Sequence, residues 1–460
     1  GMAVVLAAFA IGGAGVQSLS LTWVVVATII GTIGIGLFIT VIGDIGIEHG
    51  LSFPVYMRAP FGTIGTHIPS IVRGLAASFW FGINTYFGAT AMNAILNVLF
   101  GFDNWFVCFL IFATVQLVNT ALGIKAVERF ADLAAPVIII ISVWMYASLS
   151  EQAISQGREV WAWIESPVTG GAAVTAFLVV IFSNMGFWAT ISADIPSISR
   201  FIKAPKFERS WVKRNKGTLV GSMVALPVTQ TFMVVIGGVS YIAVSNYDPV
   251  VALQEAATGL VLGVLLLMIV LAQWSTNVSA NLVPAATIFS NVGGPRVPFW
   301  AGVFIAGIVG SVVQPWSLFN ILIPILLIVG GILSAIVGIL FADYYLLRKR
   351  RVNVPDLYEK DGQYRYMNGV NAAGFIAWFI GGLAAYFLSN YSFLVGFLVG
   401  AGTYYVLAKY WWFKKYKQAE MLDPSDEKYL GITVGRDWII GSDSESQAVQ
   451  EVGSGLDEGR

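Results

Sequence analysis

The chain is poor in the residues that soluble enzymes rely on. Of its 460 residues one is cysteine, Cys108, and two are histidine, His49 and His67. A single cysteine excludes a disulfide within the chain and any cysteine-rich metal site. No H-E-x-x-H, G-x-S-x-G or phosphate-cradling glycine–lysine loop occurs, so no catalytic motif or resident cofactor is indicated. Charge is scarce as well. Asp, Glu, Lys and Arg make up 11% of the residues, against about 25% in a soluble domain. The net charge is zero, which offers nothing to attract nucleic acid.

What is abundant is apolar: 57% of the chain. Runs of about 20 such residues suit helices that cross a hydrocarbon core, where every backbone polar group must be bonded internally. The reading is therefore an all-α integral membrane protein whose first partner is the bilayer. Twelve runs stand out, at about 1–17, 22–43, 69–99, 104–122, 131–149, 172–198, 217–243, 258–284, 298–313, 317–343, 371–389 and 391–412. The first is incomplete. Gly1-Met2-Ala3 already lies inside an apolar stretch, which reads as a chain lacking its natural start and part of span 1. Residues 1–420 form the membrane domain; 421–460 read as a polar, loosely ordered tail.

Lys and Arg sort by side. Arg58 and Arg73, Lys125 and Arg129, the cluster from Arg200 to Lys216, Arg296, the cluster from Arg348 to Arg365 and the tail all fall in alternate connections. Only Arg158 lies in the other set. Basic loops stay inside, so both termini are expected in the cytoplasm, for instance of a bacterium whose inner membrane holds the chain.

Several spans look interrupted. The sixth contains Ser183-Asn184-Met185-Gly186 in mid-run, and the first is rich in Gly12, Gly13 and Gly15. Paired broken helices in corresponding positions point to an inverted-repeat transporter with its site at the midplane. Residues 1–150 and 172–343 would be the repeats, with 371–412 added. The eighth span carries Ala272-Gln273-Trp274-Ser275-Thr276-Asn277 and then Asn281. That polarity is either helix–helix glue or an oxygen shell for a small alkali cation. Trp80 and Asn84, four apart, share a helix face. An aromatic plane beside an amide suits a flat heterocycle with N–H and C=O groups on its edge.

Gly50-Leu-Ser-Phe53-Pro54-Val-Tyr-Met-Arg58-Ala-Pro60-Phe61-Gly62, a punctuated elbow, precedes Arg73-Gly74 and Trp80-Phe81-Gly82-Ile83-Asn84. Later come Gly186-Phe187-Trp188-Ala189-Thr190, Ile195-Pro196, Ser199-Arg200-Phe201 and Ser275-Thr276-Asn277 with Asn281. Together these resemble the nucleobase–cation symport-1 family, transporters of cytosine, purines, uracil, allantoin and hydantoins. The resemblance covers nearly the whole chain. It implies a LeuT-type fold of a 5+5 inverted repeat plus two helices, acting as a monomer by alternating access. It implies a planar solute held between Trp80 and Trp188, beside Phe187, with Asn84 and Asn281 on its edge. It implies Na+ at Ser275, Thr276 and the Ala272 carbonyl, with the carbonyls of Gly1 and Val4. Relatives often read Asn-Ile-Pro-Asp where this chain has Asp194-Ile-Pro-Ser197. Asp194 is then a candidate for H+ coupling, or a structural partner of an arginine such as Arg200. His49 and His67 read as loop residues, and the Arg348–Arg351 run as a topology anchor.

Other classes fare worse. A channel would show a ring of charges or a filter-like repeat. An intramembrane enzyme would show catalytic side chains in its spans. A LeuT-type symporter for an amino acid or amine would set a charge or an open helix end against the solute's charge, and the Trp and Asn pairs favour a neutral ring instead.

Overall fold

The computed structural model describes residues 6–122 and 124–440, leaving aside the side chains of 124–135, 137 and 138. Among these residues a helix stands at each of the twelve apolar runs. They are α1 (Leu6–Val16), α2 (Leu21–His49), α3 (His67–Phe100), α4 (Trp105–Ala121), α5 (Ile124–Ser155), α6 (Gly171–Asp194), α7 (Lys216–Val244), α8 (Gly259–Arg296), α9 (Phe299–Val312), α10 (Pro315–Leu347), α11 (Ala372–Phe387) and α12 (Ser389–Lys415). The Pro54-to-Gly62 elbow folds as two short helical turns, Phe53–Tyr56 and Arg58–Phe61.

The helices pack in groups that mix the two halves of the chain. α1 and α2 pack with α6 and α7; α3 and α4 pack with α8 and α9. The second group has a core of its own, including Phe81, Phe109, Leu117, Leu282 and Val303. α5 touches both groups, through α7 and α8, and α10, α11 and α12 pack together with α10 against α6. A cleft between two such groups is where a solute could be reached from alternate sides.

The sixth span corrects one expectation. α6 is a continuous α-helix through Ser183, Asn184 and Gly186. Asn184 knits its own group instead: its Nδ2 donates to the Val180 carbonyl at 2.9 Å and the Thr28 hydroxyl at 3.2 Å, and its Oδ1 accepts from Gln230 at 3.0 Å. Gly186 is small for contact. A Cβ there would sit 2.3 Å from the Leu326 carbonyl oxygen, so only glycine lets α6 and α10 cross so closely. Irregular turns occur elsewhere, as π-helical segments at Gly221–Ala225 in α7 and Val278–Leu282 in α8. Each lies just before a proline, Pro227 and Pro284. Proline lacks the N–H that a regular α-turn would use, and the widened turn accommodates the loss.

The end of the bundle that carries the elbow is held by buried ion pairs. Asp44, on α2, accepts from Arg214 at 2.7 Å, Arg350 at 3.0 Å, Asn215 at 2.6 Å and Tyr344 at 3.1 Å. Glu48, one turn on, accepts from Arg350 at 2.6 Å, from the Gly431 and Thr433 backbone N–H groups at 3.1 and 3.0 Å, and from the Thr433 hydroxyl at 2.7 Å. Burial disfavours the Arg350 charge, but Tyr344, Asp44 and Glu48 outweigh it and raise its pKa above the ordinary arginine value. In a second cluster Asp343 accepts from Tyr56 at 2.8 Å, Tyr404 at 2.7 Å and Arg348 at 2.8 Å, and Arg348 also pairs with Glu420.

Three expectations change here. The segment from Glu420 to Thr433 is docked on the bundle rather than loose; residues 441–460 lie outside the described part. His49 is buried at the end of α2 with Nε2 2.9 Å from the Arg350 carbonyl, and His67 opens α3, so neither is a free loop residue. The Arg348–Arg351 run is built into these networks, with Arg351 on Asp426, rather than serving as a charge anchor alone.

Candidate functional site

Three helices meet at one small cavity. α3 supplies Trp80 and Asn84, α6 supplies Phe187, Trp188, Thr190 and Ile191, and α8 supplies Thr276, Ala280 and Asn281. All five side chains expected around a solute therefore line one space. The backbones hold this close. α3 crosses α9 where a Cβ on Gly82 would lie 2.5 Å from the Gly310 oxygen, and α6 meets α10 at Gly186. Each close crossing is within three residues of a site tryptophan, which limits how far that ring can drift.

About 30 Å³ of the cavity is open to water centres, enough for about two waters. The Phe187 ring lies 4.8 Å from Trp80 at 56° and 5.5 Å from Trp188 at 62°. A flat solute stacked between the tryptophans would take the place of the Phe187 ring, which has to swing aside. The polar groups here are unevenly used. The Asn84 Oδ1 and Trp188 Nε1 atoms are buried without a partner among the described residues. The Asn281 amide donates to Asn277 Oδ1 at 2.8 Å. Buried polar atoms without partners are costly, and in a transporter cleft they are what a solute would satisfy.

On α8, beside the cavity that Thr276 lines, Ala272, Ser275 and Thr276 are buried, and Ser275 Oγ has no described partner. Gly1 and Val4 lie outside the described residues. Asp194 does not line the cavity. It sits at the α6 end, 3.3 Å from Arg73 of α3, with Ser197 donating to it at 2.5 Å and the Phe53 N–H donating to Ser197 at 3.1 Å. The ion pair is thus with Arg73 rather than Arg200, and it joins the two helix groups on the elbow side of the site.

Two larger cavities flank the site. One, about 190 Å³, lies between α1, α6 and α10 on the side away from the elbow and is bordered by Ser18 and Ser183. The other, about 450 Å³, is almost wholly apolar and shares Trp80 and Thr190 with the site. Sequence reasoning missed Gln116; Asn277, read within a stretch that was either helix–helix glue or a cation shell, bonds across to Phe81, Thr85 and Gln116. Nothing in a lone buried amide tells which helix it bonds.

Residues 1–412 match the family described as permease for cytosine/purines, uracil, thiamine, allantoin. The chain belongs to that family. It is a membrane permease and not an enzyme. The hydantoin permease of Microbacterium maritypicum is 29% identical over 437 residues, 93% of this chain and 88% of the relative. Among solved structures, a nucleobase-cation-symport-1 family transporter, Mhp1, in a closed conformation with bromovinylhydantoin bound, superposes with a TM-score of 0.82 at 25% identity, covering 90% of this chain and 91% of that one. The inward-facing conformation of Mhp1 superposes less well, at 0.76 with 26% identity and 89% of each chain covered. The LeuT-type fold is therefore present.

Proposed function

We propose that this permease imports a planar cyclic amide or ureide, of the kind represented by uracil, allantoin or hydantoin, by cation-coupled alternating access. The observation that carries this reading is the convergence of Trp80, Asn84, Phe187, Trp188 and Asn281 on one cavity between α3, α6 and α8. Aromatic faces stack on a ring, two amides read its edge, and among the described residues no charged side chain lines the space, which suits a neutral solute.

The coupling ion in this reading is Na+. The Ser275 and Thr276 hydroxyls and the Ala272 carbonyl on α8 would supply neutral hard oxygens, with the carbonyls of Gly1 and Val4, outside the described residues, expected from the resemblance. Bound Na+ would tie the first span to α8 and raise solute affinity, and the solute would raise Na+ affinity by the same factor. The Arg73–Asp194 pair bridges the two helix groups on the elbow side. Its opening would accompany release to the cytoplasm, with both termini on that side of a bacterial inner membrane and the protein acting as a monomer. Should coupling be to H+, Asp194 is the group that would titrate.

The test is tryptophan-fluorescence titration of the purified protein with a panel of nucleobases, allantoin and hydantoins, with and without Na+. Quenching by a ring that tightens with Na+, and loses that tightening in Thr276→Ala, is expected. Quenching indifferent to Na+ would move coupling to Asp194. No response from folded protein to any ring would overturn the solute class and leave amino acids or amines as the panel to try.

A further inference from the structure

One of the two amides of the site, that of Asn281, is not free to present either end to a solute. The backbone carbonyl of Phe81 accepts from Asn277 Nδ2 at 3.1 Å, and that of Phe112 accepts from Gln116 Nε2 at 3.2 Å. A carbonyl oxygen can only accept, so each contact decides which end of the side-chain amide is nitrogen. The rest of the chain follows. Asn277 Nδ2 also donates to Thr85 Oγ1 at 3.0 Å and to Gln116 Oε1 at 2.8 Å, and Gln116 Nε2 donates to Thr85 Oγ1 at 3.3 Å. Asn277 therefore turns its own oxygen to Asn281, whose Nδ2 donates to it at 2.8 Å. Gln116, Thr85 and Asn277 are wholly buried, so water does not compete for these bonds.

We infer that this relay, anchored on two backbone carbonyls and passing through Gln116 and Asn277, locks the Asn281 carbonyl oxygen toward the solute and makes the site select rings that present N–H donors. This rests on the transport reading above and narrows its solute class. With Asn281 Oδ1 and the unpartnered Asn84 Oδ1 as acceptors, the complementary edge presents an N–H donor to each. Imides, lactams and ureides carry that edge. An aminopyrimidine presents a ring-nitrogen lone pair where the site needs a proton, and two acceptors then face each other. Asn277 and Gln116 touch no solute; they are positioning residues.

The experiment compares dissociation constants of uracil, 3-methyluracil and cytosine for the wild type and for Asn277→Leu, read by fluorescence quenching and backed by thermal melting. Wild type is expected to bind uracil about 10- to 100-fold more tightly than cytosine, the usual scale for leaving a buried polar group unpaired. In Asn277→Leu the Asn281 amide can flip, and the uracil-to-cytosine ratio should collapse to within about threefold while a ring is still bound. Gln116→Leu leaves both Asn277 N–H groups an acceptor, in the Phe81 carbonyl and the Thr85 hydroxyl, and should change the ratio less than Asn277→Leu does. A wild-type ratio near one, or in favour of cytosine, would overturn the donor-selective site whether or not the variants fold. An unchanged ratio in folded Asn277→Leu and Gln116→Leu would overturn the relay. Binding of no ring by the wild type would instead remove the transport reading beneath it.

Discussion

The solute cavity and the elbow end of the bundle are both buried and both polar, yet they are finished differently. At the elbow end Asp44 and Glu48 each accept from several donors, and the arginines opposite them are paired. At the cavity Asn84 Oδ1, Trp188 Nε1 and, on α8, Ser275 Oγ have no described partner. A polar cluster whose bonds are complete can only hold shape. One left incomplete carries a desolvation cost that a ligand can relieve. The difference lies in the carboxylates and in the cavity: Asp44 and Glu48 are fully engaged, and although His49 Nδ1 and Asn215 Oδ1 beside them also lack a described partner, of the two regions only the site has unpartnered atoms on residues that line a cavity.

The contrast can be broken by variants that cross it. Arg214→Met removes one cation from Asp44 and Glu48 and leaves carboxylates buried and underpaired. It should cost about 3 kcal/mol of stability, read as a lower melting temperature, with solute affinity of the folded fraction unchanged. Trp188→Ala should strike the other region. Losing one stacking face should weaken ring binding of the folded fraction roughly 10- to 100-fold, with a lower melting temperature as well because Trp188 is buried. Smallest is Thr433→Val, which loses the hydroxyl bond to Glu48 and the contact with Arg214. A drop of about 1 kcal/mol is expected, and an unchanged melting temperature would show that the docked tail adds nothing to the scaffold. If Arg214→Met abolished ring affinity in folded protein, the two regions would be coupled and the division would fail.

How much was readable in advance follows the same line. The twelve spans were legible because a bilayer demands long apolar helices and tolerates little else. Trp80 and Asn84 were legible as a pair through their four-residue spacing, and the motif resemblance pointed to Trp188, Phe187 and Asn281. Gly186 was misread. A glycine beside Ser and Asn serves equally a broken helix or a close crossing, and only the approach of α10 decides between them. The widened turns had a signal, Pro227 and Pro284, which marks lost N–H groups but not how the backbone adjusts. The tail was misread because its polarity is that of a disordered segment, whereas Glu420 and Thr433 find partners 72 and 385 residues away.

The amino-acid sequence alone determined that this chain is a helical membrane protein and which residue types a solute would meet, because solvent and spacing act locally along the chain. Tertiary structure alone decided which way those residues are turned. The orientation of Asn281 depends on Asn277, Gln116 and two backbone carbonyls on α3 and α4. Hydrogen-bond direction is a property of three-dimensional neighbours, and no periodicity records it.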